Sequence, residues 1–351
     1  MNDSGYAYAK ASWIIGKSFL GKRISLLSNI HSLNDLDRLI FPDSRYELPG
    51  RELLPSLEER IKLRAVRQIL SVIKSYTEPP KVLTRMIKGF EYSDLKDCFA
   101  RIAAGDTTGE NGKIKHPVIS DIGRFKTIHF NAYPDAYAMI KKTEYEEILH
   151  KDKKAVEKGA DLTAIDYKID YKYYQSLIES LSLLDNEERI ILSRLIADEI
   201  SLRNCLWALR LRTYYQKSAI EVKKYLMDFK LLGNINQKRT HLASEALGSL
   251  YFQLDIRDDW RGWRWEKFLN QSEQSGGWNA DPRHFQNAAS QYLYHLAFHN
   301  FHTLPMSASS IYCFIKLKQF EEDLLTSIAE GLSLGINSAA VFKLLEHPEA
   351  Y

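Results

Sequence analysis

Residues 187–215, EERIILSRLIADEISLRNCLWALRLRTYY, form the stretch that decides the fold. Apolar side chains recur along it at the three- and four-residue spacing of a buried helical face, and neither Gly nor Pro interrupts it. The pattern therefore predicts one long helix. Polar residues are interleaved with its apolar stripe, among them Glu199, Arg203, Asn204 and Arg210.

Asn204 lies at the edge of this predicted buried face, beside Cys205 and two positions from Leu202. A half-buried Asn side chain needs hydrogen-bond partners, or it costs about 1–3 kcal/mol. We therefore expect Asn204 to be a structural residue that is held by hydrogen bonds and sets the register of the helix.

The composition is that of an ordinary folded chain, since 45% of the 351 residues are hydrophobic and 26% are charged. The 48 basic and 45 acidic residues nearly balance, which argues against nucleic acid as the main partner. Three cysteines, Cys98, Cys205 and Cys313, lie far apart and form no CxxC pair. This sparse usage favours a reducing compartment.

Periodic apolar patterns predict helices throughout the chain, including one over residues 3–30 and one over about 133–149. No alternating run is long enough for a real sheet, so the predicted fold class is all-α. Polar, Gly-containing loops at 105–112 and 233–236 separate these patterns. They predict three domains, at residues 1–112, 113–235 and 236–351.

Residues 285–315 contain no Asp, Glu, Lys or Arg, which raises the question of a membrane span. The segment nevertheless holds Asn, Gln and three His residues as well as Pro305, so it is too polar to cross a bilayer. We expect two buried helices here and no direct membrane insertion.

The chain also carries an internal repeat of one helix type, at residues 91–105, 197–215 and 318–335. Placing Asp97 on Asn204 also places Cys98 on Cys205, and Asp323 fits the same position in the third helix. The repeat predicts three similar helical bundles, with Asp97 and Asp323 as the counterparts of Asn204.

Short motifs across nearly the whole chain are similar to those of one known family. In chain order they are Tyr6, Tyr8 and Lys10; Ser44, Arg45 and Tyr46; Tyr173 and Tyr174; the residues 199–204 with Arg210; and the residues 316–323 with Ile328 and Gly331. Together they resemble the C/d family of V-type ATPase subunits, whose members are central-stalk components of rotary ATPases.

This resemblance implies a funnel of three helical-bundle domains with pseudo-threefold symmetry. It also implies a non-catalytic subunit that couples the rotating central shaft to the membrane proteolipid ring for ion translocation. The implied partners are the other ATPase subunits, and the implied location is the cytoplasmic face of the membrane, peripheral to it through the complex. No cofactor is implied. The alternative is an all-helical scaffold or adaptor unrelated to rotary ATPases.

Four of the six tryptophans lie close together in the sequence, at Trp260, Trp263, Trp265 and Trp278. Packing inside the third domain is the first interpretation of this cluster and a subunit interface is the second, because Trp and Arg dominate protein–protein hot spots. A small ligand or nucleic acid is a third, which the neighbouring acidic residues disfavour.

Three histidines, His295, His299 and His302, have the spacing of one helical face. No Cys or carboxylate accompanies them in the sequence, so aromatic packing is favoured over a metal site. The Gly-containing loop at 105–112 lacks the GxxxxGK[ST] order of a phosphate-binding loop. We therefore expect no catalytic, cofactor-binding or metal-binding residue.

Overall fold

A computed structural model of the chain describes residues 3–43, 50–106, 125–159, 161–231, 240–270, 277–338 and 341. The α-helices of these residues are α1 (Asp3–Gly16), α2 (Leu33–Ile40), α3 (Gly50–Ile73), α4 (Lys81–Ala103), α5 (Ala136–Ile140), α6 (Glu146–Leu149), α7 (Leu162–Ser180), α8 (Asn186–Thr213), α9 (Ala219–Lys223), α10 (Ser244–Ser249), α11 (Pro282–Thr303) and α12 (Ala308–Ser333). Short 3₁₀ helices occupy Gly21–Leu26, Phe130–Ala132, Leu181–Leu183, Arg257–Trp260 and Glu266–Phe268.

Strand structure in the described part of the chain is confined to β1 (Lys230–Leu231) and β2 (Thr240–His241), which pair antiparallel. Lys230 lies opposite His241, and Leu231 lies opposite Thr240. The predicted all-α class is therefore confirmed. The predicted long helix is confirmed as α8, which begins and ends within two residues of the expected bounds.

Local sequence signals explain where several of these helices begin. The Ser32 hydroxyl accepts the backbone N–H of Asp35 at the start of α2, and the Asp281 carboxylate accepts that of Arg283 at the start of α11. At the start of α12, Ser307 and Ser310 form a reciprocal capping box. Such side chains satisfy backbone donors that the first turn of a helix leaves without partners.

The chain forms two compact units, one of Met1–Tyr76 with Asn186–Tyr351 and one of Thr77–Asp185, here called unit 1 and unit 2. The expected domain boundaries at 112 and 235 fall outside the described residues, as do Ser44, Arg45 and Tyr46. The division into three domains with pseudo-threefold symmetry therefore stays a prediction.

In unit 1, α12 packs against α11, α3 and α8, and α8 also packs against α11. One apolar core of unit 1 surrounds α8 and contains the tryptophan cluster. A second core joins the N-terminal segment to α3 and α12. It includes Phe19, Leu27, Leu57, Ile61 and Leu325.

In unit 2, α4 packs against α7 around a core of its own. Three tyrosines meet there: the ring centroid of Tyr92 lies 4.6 Å from that of Tyr145 and 5.2 Å from that of Tyr173. The Glu144 carboxylate accepts hydrogen bonds from the Tyr92 hydroxyl at 3.1 Å and the Lys88 ammonium at 2.9 Å. The side chains of unit 2 are thus tied together around α4.

Two expected helices are shorter than the sequence pattern predicts. The helix expected over residues 3–30 ends at Gly16, because the chain turns to bury Phe19 and Leu20 and Gly21 takes a φ of 55°. Glycine adopts this left-handed conformation without a Cβ clash. The helix expected over 133–149 is divided into α5 and α6, and Lys142 between them has a φ of 61°.

Candidate functional site

Asn204 is fully buried on α8, and hydrogen bonds satisfy its amide. The side-chain nitrogen donates to the carbonyl of Met227 at 2.9 Å and to that of Leu242 at 3.2 Å, and Oδ1 accepts the Met227 N–H at 2.8 Å. Met227 precedes β1 and Leu242 follows β2, so one side chain fixes both ends of this hairpin to α8. The expectation that Asn204 is held by hydrogen bonds agrees with this geometry.

Asp198 is a second buried polar residue on α8, with 3% of its surface exposed. Its Oδ1 accepts a guanidinium N–H of Arg264 at 2.5 Å, and its Oδ2 accepts the hydroxyl of Tyr292 at 2.7 Å. Burial, together with the neighbouring Asp198 carboxylate, raises the pKa of Tyr292 to about 12. Asp198 therefore joins α8 to the tryptophan segment and to α11 through charge-assisted hydrogen bonds.

Glu91 on α4 of unit 2 is a buried carboxylate of the same kind, with 1% of its surface exposed. Its Oε1 accepts the backbone N–H groups of Thr127 and Ile128, each at 2.6 Å, and its Oε2 accepts the Thr127 hydroxyl at 2.8 Å. Glu91 thus anchors the 127–128 segment to α4, as Asn204 anchors the hairpin to α8.

The α4 and α8 helices share one buried stripe when aligned in the register of the predicted repeat. Its positions follow the i, i+3, i+4, i+7, i+11 spacing of one helical face. They are Glu91, Asp94, Leu95, Cys98 and Ile102 on α4, and Asp198, Ser201, Leu202, Cys205 and Leu209 on α8, all of them buried. A buried carboxylate opens the stripe on both helices, seven residues before the cysteine.

The same register places Asp97 at the position of Asn204, but Asp97 is exposed. Asp323 on α12 is exposed as well. Neither side chain has the environment of Asn204, so the expected equivalence of the three side chains does not hold. The Asp323 carboxyl group is nevertheless partly desolvated by the surrounding protein, which raises its pKa above the ordinary value.

On α12 the buried carboxylate is Glu321, with 2% of its surface exposed. Its Oε1 accepts the backbone N–H of Phe19 at 2.7 Å, and its other oxygen accepts the ammonium group of Lys318. Arg64 of α3 is also close, because its Nη1 lies 3.8 Å from Oε1 of Glu321. Burial and the charge of Arg64 lower the pKa of Lys318 to about 7.

The other polar residues expected on α8 lie at its borders. Glu199 forms an ion pair with Lys316 of α12 at 2.8 Å, in which both side chains are about one-seventh exposed. Arg203 and Arg210 are half-buried, and Arg210 donates to the side-chain carbonyl of Gln286 on α11. Glu199 and Arg210 therefore link α8 to α12 and α11.

The tryptophan cluster lies inside unit 1, where none of its four side chains is more than 8% exposed. Each indole N–H donates to a protein oxygen, as in the 2.8 Å bond from Trp260 to the carbonyl of Gln253. Trp260 and Trp263 also contact each other, with ring centroids 5.1 Å apart. The side chains retain little area for a partner, which favours the packing interpretation of Trp260, Trp263, Trp265 and Trp278 over an interface with another protein.

Two of the three histidines named from the sequence, His295 and His302, contact aromatic rings on α11. The His302 ring lies 4.9 Å from that of Phe301 and 5.6 Å from that of Phe298, and His295 lies 5.1 Å from Tyr294. Among the residues that the structure describes, no group of three His, Cys, Asp or Glu side chains is placed to hold a metal ion. These contacts agree with aromatic packing.

All three cysteines are buried thiols. Burial raises the pKa of Cys98 and of Cys313 to about 12, and it also raises that of Cys205. A thiol with a raised pKa stays protonated at neutral pH, and the thiolate is the nucleophilic form. The cysteines therefore act as small apolar side chains of the cores.

Within the described ranges, no helix combines the length and the apolar character needed to span a bilayer. This applies to α11 and α12, which contain most of the uncharged segment at 285–315.

Comparison with known families settles the relationship of the chain. The model of the ATP synthase (C/AC39) subunit family matches residues 46–342, more than four-fifths of the sequence. The chain belongs to this family. The resemblance to the C/d family of V-type ATPase subunits is thereby confirmed. This C/AC39 family member is also similar to an uncharacterized protein of Treponema pallidum (strain Nichols), with 25% identity over 333 residues, which cover 94% of this chain and 92% of the relative.

Sequence reasoning named Asn204 but missed Glu91, Asp198 and Glu321. One sequence signal identifies Glu91 and Asp198. Each lies seven residues, or about two helical turns, before a cysteine of the buried stripe. The predicted superposition rested on Asp97 instead, although the same register also aligns Glu91 with Asp198.

Proposed function

We propose that this chain is a non-catalytic central-stalk subunit of a V-type ATPase, which couples the rotating shaft to the membrane proteolipid ring. The observation that carries the proposal is the match to the ATP synthase (C/AC39) subunit family over residues 46–342. The proposed location is the cytoplasmic face of the membrane, which the protein reaches through its partners in the complex.

The internal bonding of unit 1 suits a part that transmits torque. Asn204, Asp198 and Glu321 each tie segments distant in sequence to a long helix through buried hydrogen bonds. Breaking such a bond leaves a buried group without a partner, at a cost of about 1–3 kcal/mol each. Segments held in this way resist displacement under load, as an adaptor between two rotating parts requires.

We also propose that the chain is built from three related domains, at residues 1–112, 113–235 and 236–351, arranged as a funnel with pseudo-threefold symmetry. The stripe shared by α4 and α8 supports the relationship of the first two domains. The buried carboxylate Glu321 on α12 gives the third domain a group of the same type.

Co-purification tests the proposed function. The full-length chain, with an affinity tag, is expressed in cells that hold an assembled V-type ATPase, and the membranes are dissolved in mild detergent. We expect shaft subunits and the proteolipid to be recovered with it, whereas an unrelated tagged protein of similar size recovers neither. Recovery of the chain as a free monomer contradicts the proposal and favours a helical adaptor unrelated to rotary ATPases.

A further inference from the structure

The N-terminal stretch is unusual in its charge, because residues 4–34 contain no Asp or Glu but include Lys10, Lys17, Lys22 and Arg23. The chain as a whole is nearly balanced in charge, so this surplus is local. The stretch also lies before residue 46, where the match to the family begins.

This stretch exposes apolar side chains beside its basic ones. Trp13, at the end of α1, is 62% exposed, and the Lys17 ammonium lies 3.9 Å from the centroid of its ring. All six residues of the 3₁₀ helix Gly21–Leu26 are exposed, among them Ile24 at 36% and Leu26 at 46%.

Buried residues on both sides hold the exposed 3₁₀ helix Gly21–Leu26 in place. Phe19 on one side of it and Leu27 on the other are buried, and both belong to the core shared with α3 and α12. The Phe19 N–H is also bonded to Glu321. The segment between them is therefore held outward by packing.

We propose that Trp13, Lys17 and Gly21–Leu26 form a docking surface for a membrane rich in anionic lipid. Anionic headgroups attract Lys and Arg near the membrane surface, and Trp prefers the interface between headgroups and acyl chains. Exposed aliphatic side chains between basic ones are typical of segments that lie on a membrane without crossing it. A stretch that mixes exposed basic and apolar side chains fits an anionic lipid surface, which offers both charged headgroups and apolar acyl chains.

Vesicle flotation of the purified full-length chain tests this surface in the absence of other ATPase components, so its outcome is independent of the co-purification experiment. We expect the chain to float with vesicles of phosphatidylcholine and phosphatidylglycerol but not with vesicles of phosphatidylcholine alone. Each basic residue near an anionic surface changes partitioning by roughly fivefold, so Lys22→Gln with Arg23→Gln should lower binding about 25-fold.

A second pair of exposed lysines, Lys223 and Lys224 at the end of α9, provides the matched control. Changing both of these to Gln should leave binding nearly unchanged. Equal losses in the two double variants, or equal binding to both kinds of vesicle, would overturn the proposal. Failure to bind any vesicle, together with tight binding to polyglutamate, would assign the surface to an acidic protein and likewise overturn it.

Trp13 supplies a direct optical readout, since all six tryptophans lie in the described residues and it is the most exposed of them. Trp207 is half-buried, and the four of the cluster are buried. Brominated lipid in anionic vesicles should quench part of the tryptophan fluorescence of the chain. The Trp13→Phe variant should lose this quenching. Quenching that persists in Trp13→Phe would contradict this placement of the membrane contact.

Discussion

Replacing Asn204 with Ala is expected to loosen the hairpin of unit 1 without removing any surface contact. The change deletes both hydrogen bonds that the amide donates and leaves the Met227 N–H without its acceptor. Met227 is only 2% exposed, so water does not readily replace the lost partner. One unpaired buried donor and a small cavity together cost about 2–4 kcal/mol.

Hydrogen exchange followed by mass spectrometry is the appropriate assay, because it reports opening of one segment separately from unfolding of the whole chain. We expect faster exchange in peptides that cover Met227 and Leu242 and little change in those from α4. Urea unfolding, followed by fluorescence of the buried tryptophans, should show the matching loss of free energy of unfolding.

Asp97→Ala is the matched control, since Asp97 occupies the aligned position on α4 but is exposed. Its free energy of unfolding should change by less than about 0.5 kcal/mol. The role assigned to Asn204 is wrong if Asn204→Ala also changes the free energy of unfolding by less than about 0.5 kcal/mol. It is also wrong if amide hydrogen exchange rises uniformly along the chain.

Glu91→Ala should destabilise unit 2 by about 2–4 kcal/mol, because it leaves the N–H groups of the 127–128 segment without an acceptor. Amide hydrogen exchange in peptides covering Thr127 measures this loss. An unchanged exchange rate in those peptides would contradict the prediction. Lys318 has its pKa lowered from 10.5 to about 7, so between these pH values the unfolded state binds more protons. The free energy of unfolding should therefore rise with pH in this window relative to Lys318→Met, and parallel pH profiles would refute the assignment. The side chains of the Glu199–Lys316 pair are mostly buried, so a double-mutant cycle with Ala should give a coupling of about 1.5–3 kcal/mol, above that of fully exposed pairs. A coupling below about 0.5 kcal/mol would contradict this role of the pair.

Local patterns were sufficient for the helical elements that are long and uninterrupted. The α8 helix follows from apolar periodicity over 28 residues without Gly or Pro, and such a pattern suits no other regular structure. Weaker patterns were insufficient: the N-terminal helix ends at Gly16 because burying Phe19 against α3 and α12 outweighs continuing the helix.

The placement of the tryptophans also depended on contacts that the sequence does not show. Trp265 reaches Ser201 of α8, and Trp263 stacks on Phe285 of α11, with ring centroids 5.8 Å apart. A cluster of aromatic and basic residues is compatible with a core or an interface, and only the packing of α8 and α11 around it distinguishes the two.

The sequence by itself determined the helical class, the long central helix and the family, and it predicted a structural role for Asn204. The tertiary structure alone decided which carboxylates are buried. Glu321 is bonded to Phe19, which lies 302 positions away in the sequence, whereas Asp323 two residues later faces solvent. A buried carboxylate is tolerated only where donors converge on it, and those donors come from segments that folding brings together.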